Sequence, residues 1–190
     1  MLSIEPSERL LDVATGSAAL LDELARRPAP PRQAIGIDSS AEMLALAPDL
    51  PFAWQLQLGD ATELSYPDHS FDVITASYLL HVVEADQRRR MIAEMARVLR
   101  PGGRLGLITI SPPRGALAKA TLAPVVAAAM RSQGRLAGMR PLDPGPDLCR
   151  SGFTGLARRR TLRGYPSLCL VARRGGAENE RASAEPLRDP

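Results

Sequence analysis

Cysteine and histidine are scarce in this 190-residue chain, with two of each. Cys149 and Cys169 form no CxxC pair, so the pattern suggests no disulfide framework. With only His69 and His81 beside them, an ordinary zinc site cannot be assembled, and no metal is expected. Aromatic residues make up 4% of the chain, too few to interleave with arginines as stacking platforms for a nucleic acid. No apolar run reaches the roughly 18 residues that a membrane span needs. The opening MLSIEPSERL has no apolar segment after a basic start, so a secretory signal is not expected. The cytoplasm of a bacterium is the compartment these absences point to.

What is present is a hydrophobic fraction of 45%, enough for one globular domain with a sizeable core. The formal charge is +3, and Lys119 is the only lysine, so the basic character is carried by arginine. Arg88, Arg89 and Arg90 form one basic cluster, and Arg158, Arg159, Arg160 with Arg163 form another. Such clusters can meet phosphates, but the arginines have few aromatic neighbours. They are read here as solvated faces, and no nucleic-acid partner is expected.

The chain alternates short apolar runs with helical periods. Leu10 to Ala14, Gln33 to Asp38, Phe52 to Leu58, Phe71 to Ala76 and Arg104 to Ile110 read as strands. Between the first pair, Leu20, Leu21 and Leu24 fall on one helical face over 18–27, which Pro28 ends. Ser39 or Ser40 is expected to cap a second helix with Met43, Leu44 and Ala47 inward. Asp86 is expected to cap a third helix, where Met91, Ile92, Met95, Val98 and Leu99 repeat at helical spacing, and Arg100 to Gly103 stop it. Strands alternating with helices argue βαβ units and a parallel sheet covered on both faces. An alanine-rich helical stretch and a proline-rich loop fill 111–150. Gly155 to Leu162 and Tyr165 to Arg173 read as a hairpin around Arg163-Gly164. Cys169 is expected to be a buried thiol, and Trp54 a sheet residue. The polar stretch 175–190 is expected to be a disordered tail, leaving 1–174 as a single domain.

Open parallel sheets bind ligands beyond the carboxyl ends of their strands, beside the first strand. The turn Ala14-Thr15-Gly16-Ser17-Ala18 falls there, and its small residues let backbone approach a ligand closely. Asp38 ends the second strand, where a carboxylate accepts from both hydroxyls of a ribose. The Gly16–Asp38 interval also suits an NAD fingerprint, so this pair alone leaves several adenosine ligands open. Three features narrow the choice. The G-x-G-x-x-G pattern fails after Gly16. Asp60-Ala61 follows the third strand, where a carboxylate and an N–H meet an adenine edge. Finally, YPDHSFDVITASYLLHVV and RVLRPGGRLGLITI follow in order.

At these residues the sequence resembles the class I S-adenosylmethionine-dependent methyltransferases, closest to the small-molecule branch with the menaquinone and ubiquinone methyltransferases. The resemblance runs from about Arg9 to Ile110. It implies a doubly wound, Rossmann-like α/β sheet of seven strands, mostly parallel with the last strand antiparallel. It implies S-adenosyl-L-methionine as cofactor. Asp12, Ala14, Gly16 and Ser17 match the loop for the methionine half, Asp38 the ribose acid, Ser39 and Met43 the adenine surroundings, and Asp60 with Ala61 the adenine edge. Ser77 matches the place where cofactor and acceptor meet. Asp12 has two readings, a ligand to the cofactor's amino group or an anchor for the turn's own N–H groups. Ala14 and Ala18 stand where the family has glycines. Alanine at 18 fits if it is already the first or second residue of the helix, with negative φ. A single glycine suffices if the ligand brings no pyrophosphate to the turn.

The function implied is methyl transfer to a small hydrophobic or aromatic acceptor. The alternatives are a cofactor-binding relative with a non-methylating or regulatory role, and a nucleic-acid methyltransferase, against which ASYLLHVV argues. His81 and Tyr78 are the candidate catalytic groups, with a polar residue on a short helix as the other reading of His81. His69 is expected to be solvated. The stretch before Arg9 is short for such a family, so 111–150 is expected to cap the acceptor side. A second subunit, in a homodimer, is the other source of a lid.

Overall fold

The computed structural model describes residues 2–113, 124, 140–161 and 166–176. Its strands are β1 (Arg9–Val13), β2 (Gln33–Asp38), β3 (Gln55–Leu58), β4 (Phe71–Ser77), β5 (Leu99–Ile110), β6 (Phe153–Thr161) and β7 (Ser167–Arg174). Among the described residues the helices are α1 (Ala19–Ala25), α2 (Ala41–Leu44), α3 (Ala85–Val98) and α4 (Gly145–Arg150). The sheet has seven strands in the order β3-β2-β1-β4-β5-β7-β6. β1 to β5 pair in parallel, and β7 runs antiparallel to both β5 and β6. The chain moves outward from β1 to β3 and then returns to β4 on β1's other side, so the order reverses between β1 and β4. A crevice forms at such a reversal.

Alternation along the strands feeds two cores. Leu11, Val13, Ile74, Ala76, Leu105 and Leu107 pack with Met91, Ile92 and Met95 of α3 on one face. Leu10 and Val73 pack with Leu21 and Leu24 of α1 on the other. Each such side chain contributes about 1.5–3 kcal/mol by leaving water. Gly36 lies in β2 between β1 and β3, and a Cβ there would stand 2.9 Å from Leu21 Cδ1, Leu56 Cδ2 and Thr15 Cγ2. Gly36→Ala is therefore expected to destabilise by about 1–3 kcal/mol through overpacking. An unchanged urea midpoint would show that the neighbours give way freely.

Several local expectations change. α2 is a single turn with no buried residue, capped by Ser40, whose Oγ accepts from Met43 N at 3.1 Å. Met43 is exposed rather than inward, because one turn cannot sustain a buried stripe. Trp54 precedes β3 and donates from Nε1 to Pro31 O at 2.9 Å, so it plugs the second core from a turn. Glu84, not Asp86, stands at the start of α3, and Asp86 pairs with Arg89 instead. Leu99 leaves α3 directly into β5, pairing with Phe71, where an abrupt stop in a loop was expected. Cys169 is half-buried. α4 lies where a loop was expected, since Pro146 sits in its first turn, a position that needs no N–H bond. The alanine-rich stretch, the hairpin turn and the tail fall outside the described residues, apart from Pro124 and the two glycines at 175–176.

The basic clusters are less solvated than expected. Arg88 Nε donates to Asp147 Oδ2 at 2.8 Å, Arg140 pairs with Glu84 at 2.7 Å, and Arg158 with Asp143 at 3.6 Å. Arg160 donates to Ser111 Oγ and Pro112 O. These pairs tie 140–150 to α3 and β6. Arg89, Arg90 and Arg159 face solvent, where charge on the edge strand β6 also discourages strand addition. Among the described residues no helix is long and apolar enough to cross a membrane, and no His, Cys, Asp and Glu cluster could hold a metal ion.

Candidate functional site

The turn after β1 holds three left-handed residues, Ala14 (φ 57°), Gly16 (φ 57°) and Ala18 (φ 58°). Ala18 is the N-cap of α1, not its first or second helical residue, and so lacks the negative φ expected of it. The need for positive φ at alternate positions is the physical reason for glycines here, whatever ligand the turn meets. Each alanine in this conformation costs about 1 kcal/mol. The turn is held by Thr15 N donating to Ile37 O at 2.9 Å and Ala18 N donating to Thr15 O at 2.9 Å.

Asp38, at the end of β2, fixes this turn from outside. Its Oδ2 accepts from Gly16 N at 2.8 Å and its Oδ1 from Ser40 N at 2.9 Å. A carboxylate has about four lone-pair sites, so each oxygen keeps one for a further donor. The same side chain that orders the loop can therefore receive a diol.

Asp12 anchors the turn from beneath, through hydroxyls rather than through the N–H groups considered from the sequence. Its Oδ2 accepts from Thr15 Oγ1 and its Oδ1 from Thr75 Oγ1, both at 2.7 Å. It is 3% exposed. Burial pushes its carboxyl up to about 6, opposed by the two threonine hydrogen bonds and assisted by the nearby charge of Asp38. A raised acid favours the protonated folded state, so the stability it lends is complete below pH 4 and is lost as pH rises through about 6. Asp12→Asn is expected to gain stability relative to the parent across that window, by up to about 3 kcal/mol. Urea denaturation of both proteins from pH 4 to 7 checks this, and a flat difference would contradict it.

A cavity of about 260 Å³ opens at the crevice, lined by Ala14, Ile37, Asp38, Ser39, Gly59, Asp60 and Ala61, with Leu79, Val82, Val83, Gln87 and Met91 facing them. Asp60 Oδ1 accepts from Thr62 N at 2.7 Å and Thr62 Oγ1 at 2.8 Å, which hold its carboxyl below the usual range. Its Oδ2 is left for an incoming donor. Met43 reaches over the turn, its Cε 3.4 Å from where a Gly16 Cβ would stand. Ala14, Asp38, Ser39, Asp60 and Ala61 thus share one cavity, while Gly16 and Met43 are not among its lining residues, Gly16 being tied to it through the hydrogen bond to Asp38. Ser17 lies on the turn and Ser77 ends β4, neither lining the cavity, and Asp12 sits behind it. Thr15, Thr75, Leu79, Val82, Gln87 and Met91 carry no sequence signal that singles them out.

Tyr78 and His81 follow β4. Tyr78 has φ 57° and shares a hydrogen bond of 2.7 Å with Ser167 Oγ. His81 is 5% exposed, and burial lowers its pKa, favouring the neutral imidazole. His69 is exposed in its turn.

Residues 10–103 match a family model described as a methyltransferase domain. The demethylmenaquinone methyltransferase of Deinococcus radiodurans is 43% identical over 113 residues, 57% of this chain and 46% of the relative. The ubiquinone/menaquinone biosynthesis C-methyltransferase of Geobacter sulfurreducens is 36% identical over 118 residues, 58% of this chain and 45% of the relative. The chain thus spans about half the length of the curated relatives it matches. A SAM-dependent methyltransferase from Methanosarcina mazei superposes with a TM-score of 0.73 at 19% identity, covering 90% of this chain and 94% of that one, a likeness of fold.

Proposed function

We propose that the chain is a class I S-adenosylmethionine-dependent methyltransferase, as its similarity to the methyltransferase-domain model and to the quinone-pathway methyltransferases supports, and that it transfers a methyl group from S-adenosylmethionine to a small, hydrophobic or aromatic acceptor of the quinol kind. The observation that carries this reading is the crevice cavity with Asp38 at one end and Asp60 at the other. Its residues fit the cofactor. Asp38 keeps lone pairs for two ribose hydroxyls while holding Gly16 N and Ser40 N. Asp60 Oδ2 and the Ala61 N–H suit the amino edge of adenine, and Ile37, Leu79 and Val82 supply apolar walls for the base.

When bound, the cofactor supplies an electrophilic methyl on a cationic sulfur whose leaving group is a neutral thioether, so no acid is needed. The work of the chain is alignment and exclusion of water. The left-handed turn brings backbone close to the ligand, and the Asp12–Thr15–Thr75 network keeps that turn in place before binding. Preorganisation of this kind lowers the ordering cost of association. Both cysteines are free, as in a reducing cytoplasm, the compartment that goes with this reading. The residues 111–150 remain our candidate for the acceptor-side cap, and their junction with α3 is fixed by Arg140–Glu84 and Arg88–Asp147.

The test is transfer of label from methyl-labelled cofactor to a panel of hydroxylated naphthalenes and phenols. Labelled product is expected from at least one. Tight binding of S-adenosylhomocysteine with no transfer to any member would count against methylation of such acceptors.

A further inference from the structure

The two edges of the sheet differ in charge. β6 is one edge and β3 the other. β6 carries Arg158, Arg159 and Arg160. β3 reads Gln55-Leu56-Gln57-Leu58, and no charged residue occurs anywhere in 51–59. Edge strands are ordinarily guarded by charge or proline, because their unpaired N–H and C=O groups accept another strand. β3 has neither within it. Among the described residues only β2 pairs with it.

Apolar exposure gathers on the same stretch of chain. Six large apolar or aromatic residues are exposed among the described ones. Four of them, Met43, Leu46, Phe52 and Leu58, lie on α2, on β3 or on the connection between. Phe52 is fully exposed, and Leu58 is 65% exposed. Such a concentration marks an interaction surface, unlike apolar residues scattered singly.

Side chains alternate across the strand. Leu56 packs against the second core, and Leu58 shares its face. Gln55 and Gln57 share the other, where Gln57 Nε2 donates to Gln55 Oε1 at 2.9 Å and the Tyr66 hydroxyl donates to Gln57 Oε1 at 2.7 Å. A two-fold axis normal to the sheet at Gln57 would run two copies antiparallel. It sets Leu56 opposite Leu58, and Gln57 opposite itself. Both pairs match like with like, aliphatic against aliphatic, and an amide that donates and accepts against its equal. A two-fold interface also brings a charge near its axis close to its own copy. The uncharged β3 tolerates this, whereas β6 would set arginine near arginine. A neutral strand offers no charge with which to select a foreign partner, so a second copy of this chain is the occupant it fits.

We propose that this chain forms a two-fold dimer in which the outer edge of β3 pairs antiparallel with β3 of a second copy, covering Leu58. The dimer goes beyond the methyltransferase reading and does not depend on it. It bears on the crevice all the same. Gly59 and Asp60 follow β3 directly and line the cavity, so the pairing braces the strand that presents Asp60.

The test is sedimentation velocity of the full chain from about 1 to 100 µM, the range of modest affinities. The parent is expected to pass from monomer to dimer across it. Gln57→Lys and Gln57→Glu each set like charges face to face across the axis. Each is expected to raise the dissociation constant about fivefold or more. An equal mixture of the two brings opposite charges together and is expected to recover the parent's association. Arg159→Glu, on the other edge, is expected to leave association unchanged. Leu58→Ser adds no charge and is expected to weaken association as well, which keeps the test decisive if circular dichroism shows that a charged variant misfolds. A parent that stays monomeric throughout, charged variants or Leu58→Ser that associate as the parent does, a mixture that fails to recover, or an Arg159→Glu protein that no longer associates would each overturn the proposal.

Discussion

Gly16→Val is expected to abolish binding of S-adenosylhomocysteine while the protein stays folded. Gly16 has φ 57°, and among the described residues only Met43 Cε, at 3.4 Å, lies within 4 Å of a Cβ built there. The protein therefore has room for a side chain, because a methionine tip can move. In the proposed site, the space a valine would fill is the one through which the ligand approaches. A β-branched residue is also a marked outlier in the left-handed region, so the backbone would rotate and withdraw Gly16 N from Asp38 Oδ2. Affinity is expected to fall by more than about 100-fold, or roughly 3 kcal/mol. Gly16→Ala serves as the control for backbone strain alone, since Ala14 and Ala18 already occupy the same conformation, and should cost about 1 kcal/mol of stability. Circular dichroism and calorimetry separate the two effects. Native affinity in a natively folded Gly16→Val protein would show that the turn is not the binding loop.

Asp38→Ala is expected to weaken S-adenosylhomocysteine by about 2–4 kcal/mol, from the loss of two charge-assisted hydrogen bonds to the ribose. It also leaves Gly16 N and Ser40 N without their acceptor, so the turn is less ordered before binding. Asp60→Ala is expected to cost only about 1 kcal/mol, because that carboxylate is exposed and the adenine keeps its apolar walls. The ordering, with Asp38 well above Asp60, is what calorimetric titration reads. Equal losses would mean that the two acids share the ribose and adenine differently from the assignment made here.

What could be read from the chain depended on whether the signal was local. β2 begins and ends where the apolar run Gln33–Asp38 does, because Pro31 and Ser39 bracket it. The sheet's parallel body and its antiparallel last strand follow from alternating periods, the closing hairpin and the family resemblance. Asp38, which ends β2, and Asp60, just after β3, come together in one cavity with Ala14, Ser39 and Ala61. The left-handed conformation of Ala14 and Ala18 was not legible, since alanine carries no mark of positive φ. Nor was Asp12's role, because one of its partners, Thr75, lies 63 residues away. α4 was hidden by Pro144 and Pro146, which read as loop although proline is compatible with a first helical turn. Met43 was placed inward by a period that a one-turn helix does not continue.

Isothermal titration of the purified chain with S-adenosylhomocysteine, with NADH as the competing adenosine ligand, decides most directly whether the crevice between Asp38 and Asp60 holds this cofactor. Saturable one-to-one binding of S-adenosylhomocysteine, none of NADH, and loss of the heat in Gly16→Val are the expected results. Binding of NADH in preference, or S-adenosylhomocysteine heat that survives unchanged in both Gly16→Val and Asp38→Ala, would contradict the site described.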